Sequence, residues 1–262
     1  MSQTRHIPIA LRPPRGTQVL FHTALGRTAW LSPQGAYIHP ETQTAFISDL
    51  HLGKSASFRQ AGLAVPEGSD TETLARLELL LSAYAIQTLV ILGDLVHDAS
   101  SLTHPLLLQL ERLRSHTAQT AWHLVLGNHD QKAGQTLQAD WAARLGLQVF
   151  HDQWEGGIGL LGLHAPQDAA DATQADHWQI AGHLHPSVVI QARARQRLRL
   201  PCFAYREGQW LLPAFGAFTG SMPLVLKDYE GIYPLADGAV FAMKPVVGFD
   251  APLAGLMTQN LA

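Results

Sequence analysis

Five short segments of this 262-residue sequence combine histidine with carboxylate or amide side chains. They read Asp49-Leu50-His51, Gly93-Asp94-Leu95-Val96-His97-Asp98, Gly127-Asn128-His129-Asp130, Leu163-His164-Ala165 and Gly182-His183-Leu184-His185. Carboxylate and carbonyl oxygens suit Mg and Mn, whereas imidazole nitrogens suit Zn, Fe and Ni. Two Asp, one Asn and four His are too many ligands for one ion and fit two ions that share a carboxylate. Two ions about 3.5–4 Å apart can hold a bridging hydroxide and clamp a phosphoryl group during in-line attack.

The elements that would position these segments alternate between strand and helix up to residue 148. Apolar runs predict strands at 44–48, 89–92 and 122–126, and helical spacing predicts helices over 69–84, 102–114 and about 136–144. Ser69-x-x-Glu72 has the pattern of a capping box at the start of the first helix. The alternation predicts parallel strands with right-handed crossovers. Because open α/β sheets place their sites at the carboxyl ends of such strands, the polar segments should meet at one edge.

The remaining apolar runs predict a second sheet. Three runs between residues 19 and 38 suit antiparallel strands, and after Gln148 only strands follow, at 158–163, 178–181, 188–200, 203–206, 210–213 and 239–243. We expect an α/β (α+β) protein, a four-layer αββα sandwich of two mixed sheets flanked by helices. Residues 1–17, rich in Pro and Arg, should form a loose N-terminal arm, and residues 18–262 a single domain.

Composition excludes several classes of protein. The hydrophobic content of 47% and charged content of 15% rule out a disordered chain. The formal charge of −3 provides no global positive field, so any contact with nucleic acid must be local. A single cysteine, Cys202, excludes an internal disulfide and a thiolate zinc cage, and the reducing cytoplasm is the expected compartment. No apolar run reaches the ~18 residues of a membrane span, so no membrane partner is expected.

The five segments carry the motifs D-x-H, G-D, G-N-H-[DE], a lone His and G-H-x-H in that order, and the sequence thereby resembles the calcineurin-like metallophosphoesterase superfamily. The resemblance implies a role for each ligand. The first metal would be held by Asp49, His51 and His185, and the second by Asn128, His164 and His183, while Asp94 would bridge both.

The resemblance also implies catalytic residues. His129 would contact the phosphate and assist the leaving oxygen, and Asp130 would orient the His129 ring, since a carboxylate on the far nitrogen fixes an imidazole's tautomer. Two positions depart from the common pattern. Ala165 follows His164 where many relatives have Gly, and the pair His97-Asp98 differs from the more usual acidic motif, so His97 is expected to contact a ligand residue or the substrate.

Further segments resemble a bacterial phosphoesterase group found beside a DNA ligase and a DEXH helicase. They are Asp49-Leu50-His51-Leu52-Gly53-Lys54, Phe58-Arg59-x-x-Gly62-Leu63-x-x-Pro66-x-Gly68, Leu200-Pro201-Cys202-Phe203 and Leu212-Pro213-Ala214-Phe215-Gly216. That group is regarded as a DNA-repair endonuclease and phosphodiesterase that responds to DNA damage and often depends on manganese. The resemblance implies two divalent ions, Mn first with Fe, Zn, Ni and Mg as alternatives, a DNA substrate, and a ligase and helicase of the same pathway as partners.

The implied activity is hydrolysis of phosphodiester bonds in DNA by attack of a metal-bridging hydroxide. One alternative is a phosphomonoesterase or nucleotide-sugar pyrophosphatase that uses the same site on a small substrate. An alternative of another class is a non-catalytic scaffold that kept the fold. Such scaffolds usually lose ligands, and here the ligand set is complete.

Several residues carry a second interpretation. Asp49, Asp94 and Asn128 could each cap a following helix, because Asp and Asn are preferred there. The accompanying histidines favour metal binding, since a cap does not need imidazole. Lys54 and Arg59 are either phosphate contacts or part of a solvated face.

Residues 192–200 read Ala-Arg-Ala-Arg-Gln-Arg-Leu-Arg-Leu. On one strand alternate residues share a face, so the arginines would form a row of Arg193, Arg195, Arg197 and Arg199. At ~3.3 Å per residue the row would span roughly 20 Å, and DNA presents a charge every ~3.4 Å along each strand. The row either holds a polynucleotide beside the cleft or protects an edge strand from aggregation.

Overall fold

The computed structural model describes residues 13–22, 27–98, 101–136, 140–156, 159–167, 178–191, 197–247 and 249–250. In the first half, strands and helices alternate. The strands are β1 (Gln18–His22), β2 (Arg27–Leu31), β3 (Tyr37–His39), β4 (Thr44–Ile47), β5 (Thr88–Leu92), β6 (Ala121–Val125) and β7 (Leu147–Phe150). The helices are α1 (Lys54–Gln60), α2 (Ser69–Ala83), α3 (His104–His116), α4 (Asn128–Thr136) and α5 (Asp140–Arg144).

The second half consists of strands and one 3-10 helix at Leu226–Asp228. The strands are β8 (Gln153–Gly156), β9 (Leu160–Leu163), β10 (Trp178–Ala181), β11 (Pro186–Gln191), β12 (Arg197–Arg206), β13 (Gln209–Leu211), β14 (Met222–Pro223), β15 (Gly231–Ala236), β16 (Ala239–Val240) and β17 (Phe249–Asp250). None of the helices in the described ranges is both long and apolar enough to cross a membrane.

The strands form two mixed sheets. The first has the order β17-β1-β2-β3-β4-β5-β6-β7, antiparallel from β1 to β4 and parallel from β4 to β7. The second has the order β14-β11-β12-β13-β10-β9-β8, with β15 paired to β12 and β16 to β15. The adjacent strands β9, β10 and β13 are parallel, and most other pairs are antiparallel. Two mixed sheets and the α/β class confirm the predicted fold class.

The sheets pack face to face over an aromatic core. Phe46 of the first sheet lies against Trp154 of the second, with ring centroids 5.3 Å apart, and Tyr37 lies 5.7 Å from Trp210. Burial of such rings removes the largest apolar surfaces from water and so supplies most of the drive for the two sheets to associate. The strand ends that carry the polar segments are thereby held on a rigid double sheet.

The outer faces of the two sheets differ in their cover. On the first sheet, Leu77 of α2 and Leu110 of α3 are fully buried against Ile47 and Ile91. On the second, Tyr229 after the 3-10 helix belongs to the covering cluster, and within the described ranges no α-helix follows α5. The helical layer predicted on this side is therefore, in the described part of the chain, a 3-10 helix with its flanking loops.

Three local predictions are wrong. Ser69 is the first residue of α2 rather than its cap: Gly68 precedes it at φ 93°, and the Ser69 hydroxyl donates to Ser55 Oγ at 2.9 Å. The helix predicted at about 136–144 is two helices, α4 and α5, and α4 begins eight residues earlier, directly at Asn128. The strand predicted at 188–200 is interrupted, because β11 ends at Gln191 and β12 begins at Arg197.

The N-terminal arm lies mostly outside the described residues, which begin at Pro13. At the end of the arm, the hydroxyls of Thr17 and Tyr84 lie 2.6 Å apart, and Val240 N–H donates to Gly16 O. The division into an arm at 1–17 and one domain at 18–262 stays a prediction.

Candidate metal centre

The predicted ligands converge where strands of both sheets end. Asp49, Asp94 and Asn128 follow β4, β5 and β6, whereas His164 and His183 follow β9 and β10. The donor atoms of Asp49, His51 and His185 all lie within 4.8 Å of one another, and we call these residues the first group. The same holds for Asp94, His164 and His183. We call His164, His183 and Asn128 the second group, since Asn128 Oδ1 lies 3.0 Å from His164 Nε2.

Asp94 lies between the two groups. Its Oδ2 is 3.7 Å from His51 Nε2 in the first group, and its Oδ1 is 3.7 Å from His164 Nε2 in the second. Oδ1 also accepts the backbone N–H of His129 at 2.9 Å, which fixes the carboxylate's rotation. A carboxylate that presents one oxygen to each of two ligand groups has the arrangement needed to bridge two cations.

Asp49 is a fully buried carboxylate with one oxygen left for a cation. Its Oδ2 accepts the backbone N–H of His183 at 2.8 Å, while its Oδ1 faces His185 Nε2 at 3.3 Å and has no hydrogen bond within the described residues. Burial alone raises the pKa of Asp49, but the nearby His185 ring, together with His164 and the His183 N–H, outweighs it, so that pKa lies below its ordinary value. The carboxylate is therefore ionised, and a buried ionised oxygen is costly unless it is paired.

Two of the ligand imidazoles, those of His51 and His183, are in the form that binds metals. Burial lowers the pKa of His51 to about 3 and also lowers the pKa of His183, so both rings are neutral near pH 7. Neutral imidazole is the ligand form, and the Nδ1 atom of buried His51 has no hydrogen-bond partner in the described part of the chain. Mixed oxygen and nitrogen donors with unpartnered buried atoms fit divalent cations.

The backbone places five of these side chains through left-handed turns. Positive φ angles between 45° and 68° occur at Asp49, His51, Asp94, His183 and His185. Such conformations cost of order 1–3 kcal/mol each for non-glycine residues, although Asp and His tolerate them better than most. Backbone hydrogen bonds hold the turns together: the N–H of residue 49 donates to the carbonyl of residue 93 at 3.1 Å, and that of residue 51 to residue 94 at 2.8 Å.

Glycine is required where these loops touch. A Cβ atom at Gly127 would overlap Asp94 Oδ1, and one at Gly93, where φ is 78°, would overlap the His164 ring. The glycines in the motifs therefore allow a ligand side chain to occupy the space that a neighbouring Cβ would fill.

His129 lies beside the first group, with its ring centroid 4.9 Å from that of His51. Its Nδ1 is 2.6 Å from the His97 carbonyl oxygen, so Nδ1–H donates to that carbonyl. Nε2 is then the ring nitrogen that can exchange a proton with a substrate. The ring stacks on that of His97 at 4.9 Å and 26°. A backbone carbonyl and a stacked histidine thus orient His129.

The orienting role predicted for Asp130 is wrong. Its Oδ1 accepts the N–H of Val96 and its Oδ2 the N–H of Gly127, both at 3.1 Å, and the residue is 1% exposed. Burial raises the pKa of Asp130 to about 6 even though these backbone bonds oppose the shift. Asp130 therefore ties the loop after β5 to the loop after β6, and so positions Asp94 and Asn128 rather than the His129 ring.

The candidate substrate contacts are placed differently from one another. Lys54 is half-buried at the start of α1. Burial lowers the pKa of Lys54, whereas the negative charges of Asp94 and Asp49 act to raise it, so its ammonium lies in the field of those two carboxylates. Arg59 Nη1 donates to the Pro66 carbonyl at 3.2 Å, along the loop after α1. His51, His97 and His129 have donor atoms within 4.8 Å of one another, so His97 lies close to a proposed ligand.

The predicted row of four arginines on one strand is wrong. Arg193 and Arg195 lie outside the described residues, and β12 turns back along β11, so that Arg197 pairs with Gln191. Arg199 Nη1 reaches the Ser221 carbonyl at 3.5 Å, next to the Gly220 carbonyl that lies 3.0 Å from His185 Nδ1. Arg199 thus contacts the loop that holds a ligand.

Known proteins resemble this chain in sequence and in fold. The family description "calcineurin-like phosphoesterase" matches residues 42–189. A nuclease named MPE from Pseudomonas putida has a solved structure that is 32% identical, with a TM-score of 0.70, covering 87% of this chain and 100% of that one. A protein of unknown function from Aquifex aeolicus is 20% identical, covering 54% and 78%, with a TM-score of 0.36. A search of curated proteins gave no match. The chain belongs to the calcineurin-like phosphoesterase family.

Proposed function

We propose that the protein is a two-metal phosphodiesterase that cleaves DNA as an endonuclease in DNA repair. The observation that carries the proposal is Asp94, which presents one carboxylate oxygen to each of two ligand groups. Two ions spaced for a phosphoryl group need a shared ligand of this kind. Membership of a phosphoesterase family already implies a hydrolase that depends on divalent metal ions.

The first ion would be held by Asp49, His51 and His185, and the second by Asn128, His164 and His183, with Asp94 shared. When bound, the two ions supply a nucleophilic oxygen and neutralise the phosphate's negative charge as Lewis acids. Manganese is the first expectation, and Fe, Zn, Ni and Mg are the alternatives, because the oxygen and imidazole donors suit all of them.

The chain's own residues position the phosphate and move a proton. His129 holds its Nδ1 proton on the His97 carbonyl, so a second proton at Nε2 is the one available to a leaving oxygen. A positioned proton donor of this kind typically contributes 10²–10⁴-fold. Lys54 brings a cation toward the same carboxylates, where it would pair with a non-bridging phosphate oxygen.

Nucleic acid is the proposed substrate because the Pseudomonas putida relative, which matches over its whole length, is a nuclease. The formal charge of −3 means that affinity must come from local contacts. The local cations proposed for this are Lys54, Arg59, Arg193, Arg195, Arg197 and Arg199. DNA as the polymer, a cytoplasmic location, and a ligase and DEXH helicase of the same pathway complete the proposal.

Two other functions are consistent with part of these observations. A phosphomonoesterase or nucleotide-sugar pyrophosphatase would use the same ligand groups on a small substrate. A non-catalytic scaffold would have the fold alone, but the seven proposed ligands are all present and adjacent.

The deciding experiment compares substrates on stripped protein to which Mn, Mg, Zn, Fe or Ni is added singly. Rates are measured for a simple diester, a simple monoester, and DNA and RNA oligonucleotides of one sequence. We expect the diester and DNA to be cleaved with Mn and the monoester to be slow. Faster hydrolysis of the monoester would reject the nuclease hypothesis in favour of a phosphomonoesterase. Absence of hydrolysis with every metal would favour the non-catalytic scaffold.

A further inference from the structure

Two phenylalanines lie at the rim of the metal centre. The rings of Phe58, in α1, and Phe218, in the loop between β13 and β14, have centroids 5.7 Å apart and meet edge to face at 85°. Both side chains are half-buried, so each ring keeps part of its surface open to solvent. An aromatic ring with part of its face open at the rim of a polar site offers a surface on which a planar group can stack.

Phe218 is fixed to the metal centre on both sides. Two residues before it, Gly216 N–H donates to the Asp49 carbonyl at 3.1 Å. Two residues after it, the Gly220 carbonyl lies 3.0 Å from His185 Nδ1. The loop therefore holds Phe218 at a set position relative to the first ligand group.

Phe58 continues a row of rings that leads to the ligands. Its centroid is 5.9 Å from that of His97, which stacks on His129 at 4.9 Å. Lys54 Nζ lies 5.9 Å from the centre of the same Phe58 ring. One end of the row thus combines two aromatic rings with a cation, and the other end reaches the proposed site of chemistry.

We propose that Phe58 and Phe218 are positioning residues that stack on a nucleobase next to the scissile phosphate. This inference rests on the proposed nuclease function. It adds a contact that would fix which phosphate of the polynucleotide lies at the metal centre. Bases of any sequence have a π face, so an aromatic surface positions a nucleotide without selecting its sequence. Lys54, over the same ring, would then pair with the phosphate that follows the stacked base.

The test uses metal-loaded protein and two single-stranded oligonucleotides of the same length. One is fully nucleosidic, and the other carries abasic tetrahydrofuran units at alternate positions. The measured quantity is the ratio of kcat/KM for linkages flanked by bases to kcat/KM for linkages flanked by abasic units. Wild type should give a ratio of about 10, since stacking on an aromatic side chain is worth roughly fivefold to hundredfold per base.

The variants separate stacking from simple packing. Phe58→Ala and Phe218→Ala should bring the ratio close to one, Phe58→Leu should do the same, and Phe58→Trp should restore it. Phe241→Ala is the matched control, because Phe241 is an exposed phenylalanine outside the loops of the metal centre, and it should keep the wild-type ratio. If Phe58→Ala fails to fold, Phe58→Leu and Phe218→Ala still decide the question.

Two results would overturn the inference. A wild-type ratio near one, or variants that slow both kinds of linkage equally, would mean that the rings only pack the loops together. Cleavage of a small diester without cleavage of either oligonucleotide would reject the nuclease function itself, and the stacking role with it.

Discussion

The two ligand groups differ in burial and in their ties to the fold. In the first, Asp49 is 0% and His51 5% exposed, and Asp49 is bonded to loops of both sheets through residues 93, 183 and 216. In the second, His183 is exposed, and its Nδ1 lies 3.1 Å from His164 Nε2. The first group is thus part of the framework that joins the sheets, whereas the second is more open to solvent.

The largest effect is expected at Asp94, because it alone serves both groups. Asp94→Asn should abolish binding of both ions and lower the rate of diester hydrolysis by about 10³-fold or more, since it removes metal catalysis worth several kcal/mol. Bound metal per chain and kcat are the measurements. Asp237→Asn, at an exposed turn position with a similar positive φ, is the control and should behave as wild type. Retention of two ions by Asp94→Asn would rule out the bridge.

A pair of variants tests the difference between the groups directly. Asp49→Ala leaves the His183 N–H without its acceptor and should lower the free energy of unfolding of metal-free protein by about 1–3 kcal/mol. His183→Ala removes an exposed side chain and should lower it by clearly less, because both Ala residues share the strain of a positive φ and only Asp49→Ala also loses the buried acceptor. Each variant should lose one ion per chain. If urea unfolding showed that Asp49→Ala and His183→Ala destabilise the protein equally, the proposed difference between the first and the second ligand group would be wrong.

Substitution of His129 should change metal content less than substitution of a ligand. His129→Gln should keep both ions yet slow hydrolysis of a diester with a poor leaving group by 10²–10⁴-fold. The loss should shrink for a good leaving group, which needs less protonation. His51, His97 and His129 also have donor atoms close together, so a lost ion in this variant would instead assign His129 to the first group.

The smallest effect lies outside both groups, at His123. Trp154 Nε1–H donates to His123 Nδ1 at 2.7 Å, and burial lowers the pKa of His123 below its ordinary 6.5. Below pH 6.5 the unfolded chain binds the proton first, so this contribution is present at higher pH and is lost as the pH falls toward the folded-state pKa. His123→Gln should therefore reduce the loss of stability between pH 7.5 and pH 5.5.

That measurement is made by urea unfolding of metal-free wild type and variant at both pH values. Trp154→Phe removes the N–H that only the neutral His123 ring accepts and leaves a smaller aromatic ring, so it should flatten the pH response less than His123→Gln does. An identical pH slope in wild type and His123→Gln would assign the pH response of stability to other histidines.

The positions of the ligand segments could be predicted from the sequence because two independent signals coincide. An apolar run marks a strand, and a glycine beside Asp, Asn or His marks its end, so residue types alone place Asp94 and Asn128 at the sheet edge. The close approach of Gly127 to Asp94 gives that pattern its physical reason.

The errors occur where backbone atoms decide the outcome or where composition carries no signal. The carbonyl of His97 orients His129, and a carbonyl has no signature in residue types, so the adjacent carboxylate of Asp130 is favoured wrongly for that role. The β11–β12 connection, Ala-Arg-Ala-Arg-Gln, contains no Gly, Pro, Asn or Asp, so nothing in its composition marks a turn. Ser69 and Glu72 fit a capping box, but Gly68 takes the cap position.

The left-handed turns at the ligands have a consequence for engineering this protein. Glycine adopts that conformation freely, so glycine at His51, His183 or His185 would relieve strain while deleting a ligand. A library screened only for heat resistance should therefore collect inactive clones with changes at these positions. Enrichment of the same positions under such a screen, and their depletion when catalysis is also demanded, would map the metal centre by selection alone.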